Sequence, residues 1–184
     1  MKRLLPLLLC ILFFAGCAAS APSPPAVEAG APGTLAITFD FERQSGVASN
    51  QFAVWIEDLD GNMVKTLYAT QFTATKGYKN RPDSLATWVN RALGSTDFDA
   101  VAGATPKSGP QVYVLDCADI APGSYRFFVE GTLRWKDNVL YTGEIEIGGA
   151  YAFAEAIPEF DCEDDAPERG MITYVRGEYL AIGE

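Results

Sequence analysis

The sequence predicts an all-β fold, an antiparallel β-sandwich with one short helix. Three observations point there. Apolar and polar residues alternate in short runs, turn-forming residues separate those runs, and one segment alone has helical spacing.

The first strand is read over Leu35 to Glu42, where Leu35, Ile37, Phe39 and Phe41 alternate with Ala36, Thr38, Asp40 and Glu42. That pattern suits a strand buried on one face. Phe52, Val54 and Ile56 repeat it and leave Trp55 and Glu57 on the other face. Asp58 to Asn62 contains Asp-Gly, a strong hairpin signal, so Met63 to Thr70 should return antiparallel. Next comes the helical break. Leu85, Trp88, Val89 and Ala92 fall at helical spacing, with Asp83 or Ser84 as the cap and Gly94 as the stop.

Alternation then resumes at Val112 and Val114, at Tyr125, Phe127 and Val129, at Leu133 and Trp135, and at Ile145 and Ile147. Ala121-Pro122-Gly123 and Lys136-Asp137-Asn138 supply turns between these runs. Late strands are expected at Tyr151 to Ala156 and at Met171 to Leu180. Many short strands with one helix fit a sandwich of immunoglobulin type.

Ahead of the strands the chain reads as an export signal and a tether. Lys2 and Arg3 precede an apolar run from Leu4 to Phe14, too short to span a bilayer but suited to a secretory signal. Phe14-Ala15-Gly16-Cys17 closes it. Small residues before a cysteine resemble a bacterial lipoprotein signal, which implies cleavage after residue 16 and acylation of Cys17; the other reading is an ordinary secretory signal containing a cysteine. Ala18 after the acylated position implies retention at the outer membrane of a two-membrane cell, on its periplasmic face. Ala18 to Pro32 is mostly Ala, Pro, Ser and Gly. Such a stretch forms no core and extends about 40 Å at about 3 Å per residue. The expected organisation is a signal peptide over 1–16, a lipidated cysteine and tether over 17–32, and one sandwich domain over 33–184.

Composition narrows the function. The formal net charge is −10, and the signal takes two cations with it. An acidic surface argues against nucleic acid and against direct adhesion to anionic lipid. There is no histidine, which removes Ser-His-Asp and Cys-His catalysis, histidine-ligated haem and the usual zinc sites. Glu57, Asp58 and Asp60 stand where turn chemistry expects them. No catalytic pair emerges, and the expectation is a protein that is not an enzyme.

Of four cysteines, Cys10 leaves with the signal and Cys17 carries lipid. Cys117 and Cys162 remain, and an oxidising compartment favours a disulfide between them. Two separate buried thiols, or a metal-binding or redox pair, are the alternatives. Asp161, Glu163, Asp164 and Asp165 cluster between Glu159 and Glu168, but their spacing matches no calcium loop, and a solvated acidic loop is the expectation.

The segment with chemical content is Asp99-Ala100-Val101-Ala102-Gly103-Ala104-Thr105. Gly103 and Ala104 offer almost no side chain before an expected exposed hydroxyl on Thr105. The segment resembles the flavinylation motif of bacterial extracytoplasmic proteins, Asp-x-x-(Ser/Thr)-Gly-Ala-(Ser/Thr), with Ala102 where the motif carries a hydroxyl. The resemblance implies that a flavin transferase joins the phosphate of FMN to Thr105, with Asp99, Gly103 and Ala104 completing the site. The bland alternative is a strand connection built from small residues. Trp55, Trp88 and Tyr113 are candidates for an apolar surface beside the flavin ring, although aromatics at such spacings usually belong to a core.

Phe52-Ala53-Val54-Trp55-Ile56-Glu57-Asp58-Leu59-Asp60-Gly61, Val64-Lys65-Thr66-Leu67 and Pro122-Gly123-Ser124-Tyr125 carry a second resemblance. They are similar to a family of predicted periplasmic proteins of unknown function, itself distantly like the immunoglobulin-like domain of flagellar hook-capping proteins. Members often accompany flavin transferases and membrane electron-transfer proteins. The resemblance therefore implies a lipid-anchored carrier of electrons with FMN on Thr105, partnered by a transferase and a membrane redox protein. The competing expectation is a non-catalytic binding or assembly module of the envelope.

Overall fold

The computed structural model describes residues 32–45, 49–75, 77–94, 102–134 and 137–181. Cys17 with the signal and most of the tether, Asp99, Trp135 and Lys136 lie outside them.

Among the described residues, ten strands form two sheets that face each other. In chain order they are β1 (Thr34–Phe41), β2 (Gln51–Asp58), β3 (Met63–Thr70), β4 (Ala102–Gly103), β5 (Gly109–Asp116), β6 (Gly123–Arg134), β7 (Asp137–Ile147), β8 (Ala152–Glu155), β9 (Ile157–Asp161) and β10 (Ile172–Leu180). The smaller sheet has the order β5-β1-β10-β8 and the larger β4-β3-β2-β6-β7-β9. Pairing is antiparallel except between β4 and β3, where Ala102 and Gly103 run parallel to Ala69 and Thr70. A short helix α1 (Gln71–Ala74) and the longer α2 (Ala86–Gly94) lie between β3 and β4. The expected sandwich is present.

Alternation explains the core. Leu35, Ile37, Phe39 and Phe41 of β1 meet Phe52, Val54 and Ile56 of β2, with Phe127, Val129, Val139, Tyr141, Val175 and Tyr179 filling the space between sheets. The β2–β3 turn is fixed by Asp58, whose carboxylate accepts the Asn62 backbone N–H and side-chain amide, each at 2.8 Å. Those bonds hold the Asp58 carboxyl below its ordinary pKa. Gly61 supplies the left-handed residue of the turn at φ 85°.

On the far face of β2 a second cluster forms. Trp55 stacks on Phe128 at 4.9 Å, and both are covered by Leu85, just ahead of α2, and by Trp88, Val89 and Ala92 of the helix. Neither Asp83 nor Ser84 caps this helix through its side chain. Ser84 Oγ is buried without a partner. The cap comes from β6 instead. The Glu130 carboxylate accepts the N–H groups of Thr87 at 3.1 Å and Trp88 at 2.8 Å, and Thr132 Oγ1 accepts that of Leu85 at 2.9 Å. These are the donors a helix leaves unsatisfied at its start.

Three other expectations are corrected. In β5 the core-facing residues are Tyr113 and Leu115, while Val112 is 49% exposed on the outer face. Residues 159–161 of the expected acidic loop belong to β9, and Glu168 is fully buried against Arg134 at 2.7 Å. Cys117 and Cys162 are free thiols rather than a disulfide. Cys117 donates its backbone N–H to Gly33 at the start of β1. Cys162 follows β9 at the opposite end, where Arg134 meets Glu168 and the Met171 carbonyl accepts the Glu42 N–H just beyond β1. Eight extended residues separate those ends by about 23 Å, against the roughly 7 Å limit for bridged Cα atoms.

Candidate functional site

The Gly103–Thr105 segment crosses from one sheet to the other along the side of the sandwich where β4 and β5 are edges. Its position follows from the pairing of β4 with the end of β3. Tyr68, from the inner face of β3, donates its hydroxyl to the Ala104 carbonyl at 2.9 Å. A Cβ at Gly103 would lie 2.6 Å from Tyr68 Cε2, so only glycine lets the strand lie against this ring. At the other end of the loop, Ser108 Oγ accepts the Arg43 backbone N–H at 2.9 Å. Two pins four residues apart in the chain, at Ala104 and Ser108, thus hold Thr105, Pro106 and Lys107 between them.

Thr105 is half-buried rather than openly exposed, while Ala104, Lys107 and Ser108 are exposed. Behind the loop lies an aromatic wall. Tyr68 meets Phe52 at 5.0 Å and Tyr113 at 4.9 Å, and Tyr113 stacks on Phe39 at 5.9 Å. Burial pushes the Tyr68 hydroxyl pKa up to about 12 and that of Tyr113 higher still, so both remain neutral donors at physiological pH.

Of the aromatics considered for a flavin surface, Trp55 is buried under α2 and Trp88 on the inward face of that helix. Their indole N–H groups are spent on Glu57 Oε1 at 2.8 Å and Thr66 Oγ1 at 3.1 Å. Tyr113 alone of the three stands partly exposed beside the loop. Tyr68 was invisible to sequence reasoning, because only the β3–β4 register brings it to Ala104. Asp99 lies outside the described residues.

The local chemistry fits an esterified phosphate. The hydroxyl follows two residues without bulk, the loop carries the exposed cation Lys107 two residues on, and no histidine or metal is needed to hold such a link. Among the described residues, no group of three or more His, Cys, Asp or Glu is placed to hold a metal ion. The acidic segment is organised by arginines instead. Arg134 forms a two-pronged pair with Glu168 at 2.7 and 3.1 Å, and Arg169 reaches Asp164 at 2.9 Å.

Residues 34–158 match the model of a family described as "Predicted periplasmic protein" (DUF2271). No curated protein and no solved structure matches the chain.

Proposed function

The chain belongs to this family of predicted periplasmic proteins, and from that premise we propose that it is a lipid-anchored electron carrier of the cell envelope, with FMN joined covalently to Thr105. What carries the reading is the Gly103-Ala104-Thr105 segment, laid along an open sandwich edge, pinned by Tyr68 and backed by Tyr113. Thr105 Oγ1 loses its proton and gains a bond to phosphorus, and the leaving group of the flavin donor departs with its electron pair. A flavin transferase performs this step. The bound FMN supplies one- or two-electron transfer. This chain's own residues hold the loop, keep its approach clear of side chains and set a cation two residues from the ester. No residue acts as a catalyst.

Lipid on Cys17 holds the protein at the periplasmic face of the outer membrane, and the tether lets the domain move between a membrane redox protein and an acceptor. Nucleic acid is no partner for so acidic a surface. The test is intact mass after co-expression with an active transferase in an envelope compartment. Modification adds about 438 Da, FMN less water, with yellow colour, and Thr105→Ala loses both. Unmodified mass in a flavin-replete cell overturns the reading.

A second reading, a binding or assembly module, has an observation of its own. The outer face of the smaller sheet displays Val112, Phe153 and Tyr174, which are 49%, 49% and 81% exposed. The larger sheet covers the corresponding face with α2.

A further inference from the structure

A concavity lies on the side of the sandwich opposite Thr105, where β9 at the edge of the larger sheet meets β10 of the smaller one. β8 pairs with β10 only over Arg176 to Tyr179, so the preceding residues of β10 are uncovered by that strand. The opening measures about 480 Å³ and is lined by Tyr141, Phe160, Arg169, Thr173, Tyr174 and Arg176 among others. That size is ordinary for a small-molecule site.

Three independent features converge here. Tyr141 and Phe160 meet edge to face at 6.4 Å and make an aromatic wall. The Arg169 guanidinium lies 4.2 Å over the Phe160 ring. Its Nε and Nη2 bond to the Glu163 carbonyl at 3.0 Å and to Asp164 at 2.9 Å, which leaves Nη1 for another acceptor. Arg176 stands on the rim, held by Thr38 Oγ1 at 2.9 Å. Finally, Tyr174 has φ 55° and is 81% exposed. It sits in a bulge, since Thr38 pairs with Arg176 while Asp40 pairs with Thr173. A non-glycine residue in left-handed backbone is strained, and bulges re-aim side chains near functional sites. Packing returns nothing for that strain, because the ring is in solvent.

We propose that this groove binds a small planar aromatic ligand bearing one anionic group. The ring lies against Phe160 and Tyr174, and the anion is held by Arg169 and Arg176. Glu155 stands opposite Arg176 in the β8–β10 register, so a polyanion is disfavoured. The groove is separate from Thr105, since β4 and β9 are opposite edges of a six-stranded sheet, about 24 Å apart at about 4.8 Å per strand. It is independent of flavinylation.

The probe is 2-naphthoate, measured by equilibrium dialysis against the mature protein in nanodiscs of neutral lipid, with empty discs as the blank. One saturable site is expected, with 2-naphthylmethanol, the same ring without the charge, about tenfold weaker. Arg169→Gln weakens naphthoate binding by about tenfold. Tyr174→Gly weakens it comparably yet raises Tm, because glycine relieves the left-handed strain. Tyr174→Phe keeps affinity within about twofold. The proposal is overturned by absence of saturable binding up to about 5 mM, by equal affinity for the neutral ring, or by unchanged affinity in both Arg169→Gln and Tyr174→Gly. Binding of a peptide ending in phenylalanine without binding of naphthoate also overturns it.

Discussion

At Gly103 a missing methyl group decides where a loop can lie. Its absent Cβ would sit 2.6 Å from a Tyr68 ring that Phe52 and Tyr113 hold at 5.0 and 4.9 Å. The ring cannot swing away, so Gly103→Ala should cost about 1–3 kcal/mol by overpacking. Urea unfolding measures that cost, and it should shrink when Tyr68 is also replaced by Leu, the signature of a direct clash. Tyr68 also makes stability fall at high pH. Burial raises its folded pKa to about 12 from an ordinary 10, so the unfolded chain ionises first. The folded form then holds more protons than the unfolded one, and stability is lost as pH rises from about 10 towards 12. Cys117, raised to about 11 from 9, adds to the decline from its lower end. Urea midpoints at pH 9, 10 and 11 should fall, and Tyr68→Phe should flatten the upper part of that fall. Of this site, Gly103 and Thr105 were legible because the motif is contiguous. Tyr68 was not, because no local signal ties residue 68 to residue 104.

Helix α2 shows the same division at the scale of an element. Its apolar positions Leu85, Trp88, Val89 and Ala92 were readable from spacing, and all four are buried. Its cap was not readable, since Glu130 and Thr132 approach from a strand more than forty residues on. Glu130→Ala strands two N–H groups under the helix and should cost about 2–4 kcal/mol, with Glu130→Gln costing less because its amide oxygen still accepts one. Ser84→Ala should stay within about 0.5 kcal/mol of the parent, because Ser84 Oγ has no partner to lose. Urea unfolding followed by tryptophan fluorescence separates the two variants. If Ser84 were the cap, their order would reverse. Strand β5 shows a different limit. Period two was visible in Val112 to Leu115, yet alternation does not say which set faces inward when both are apolar. The aromatic contacts of Tyr113 with Phe39 and Tyr68 settle it.

The whole molecule sets how far apart the thiols of Cys117 and Cys162 lie. A sandwich has two ends, and the chain order gives no hint that residues 117 and 162 fall at different ones. Compartment and cysteine count argue for a bridge, whereas the eight-residue span of β1 separates the thiols by about 23 Å. A disulfide there would need the sheet pulled apart, which no loop-closure gain of about 3–5 kcal/mol offsets in a folded core. The environments also differ. Cys117 is buried and Cys162 half-buried, and burial raises both thiol pKa values and slows their reaction as thiolates. Mature protein denatured without reductant should therefore take up two maleimide groups, read by intact mass. Native protein should take up the first at Cys162, and Cys162→Ser should remove that fast adduct while leaving the slow one. A denatured, unreduced sample that takes up none would restore the bridge and require the two ends of β1 to be brought together.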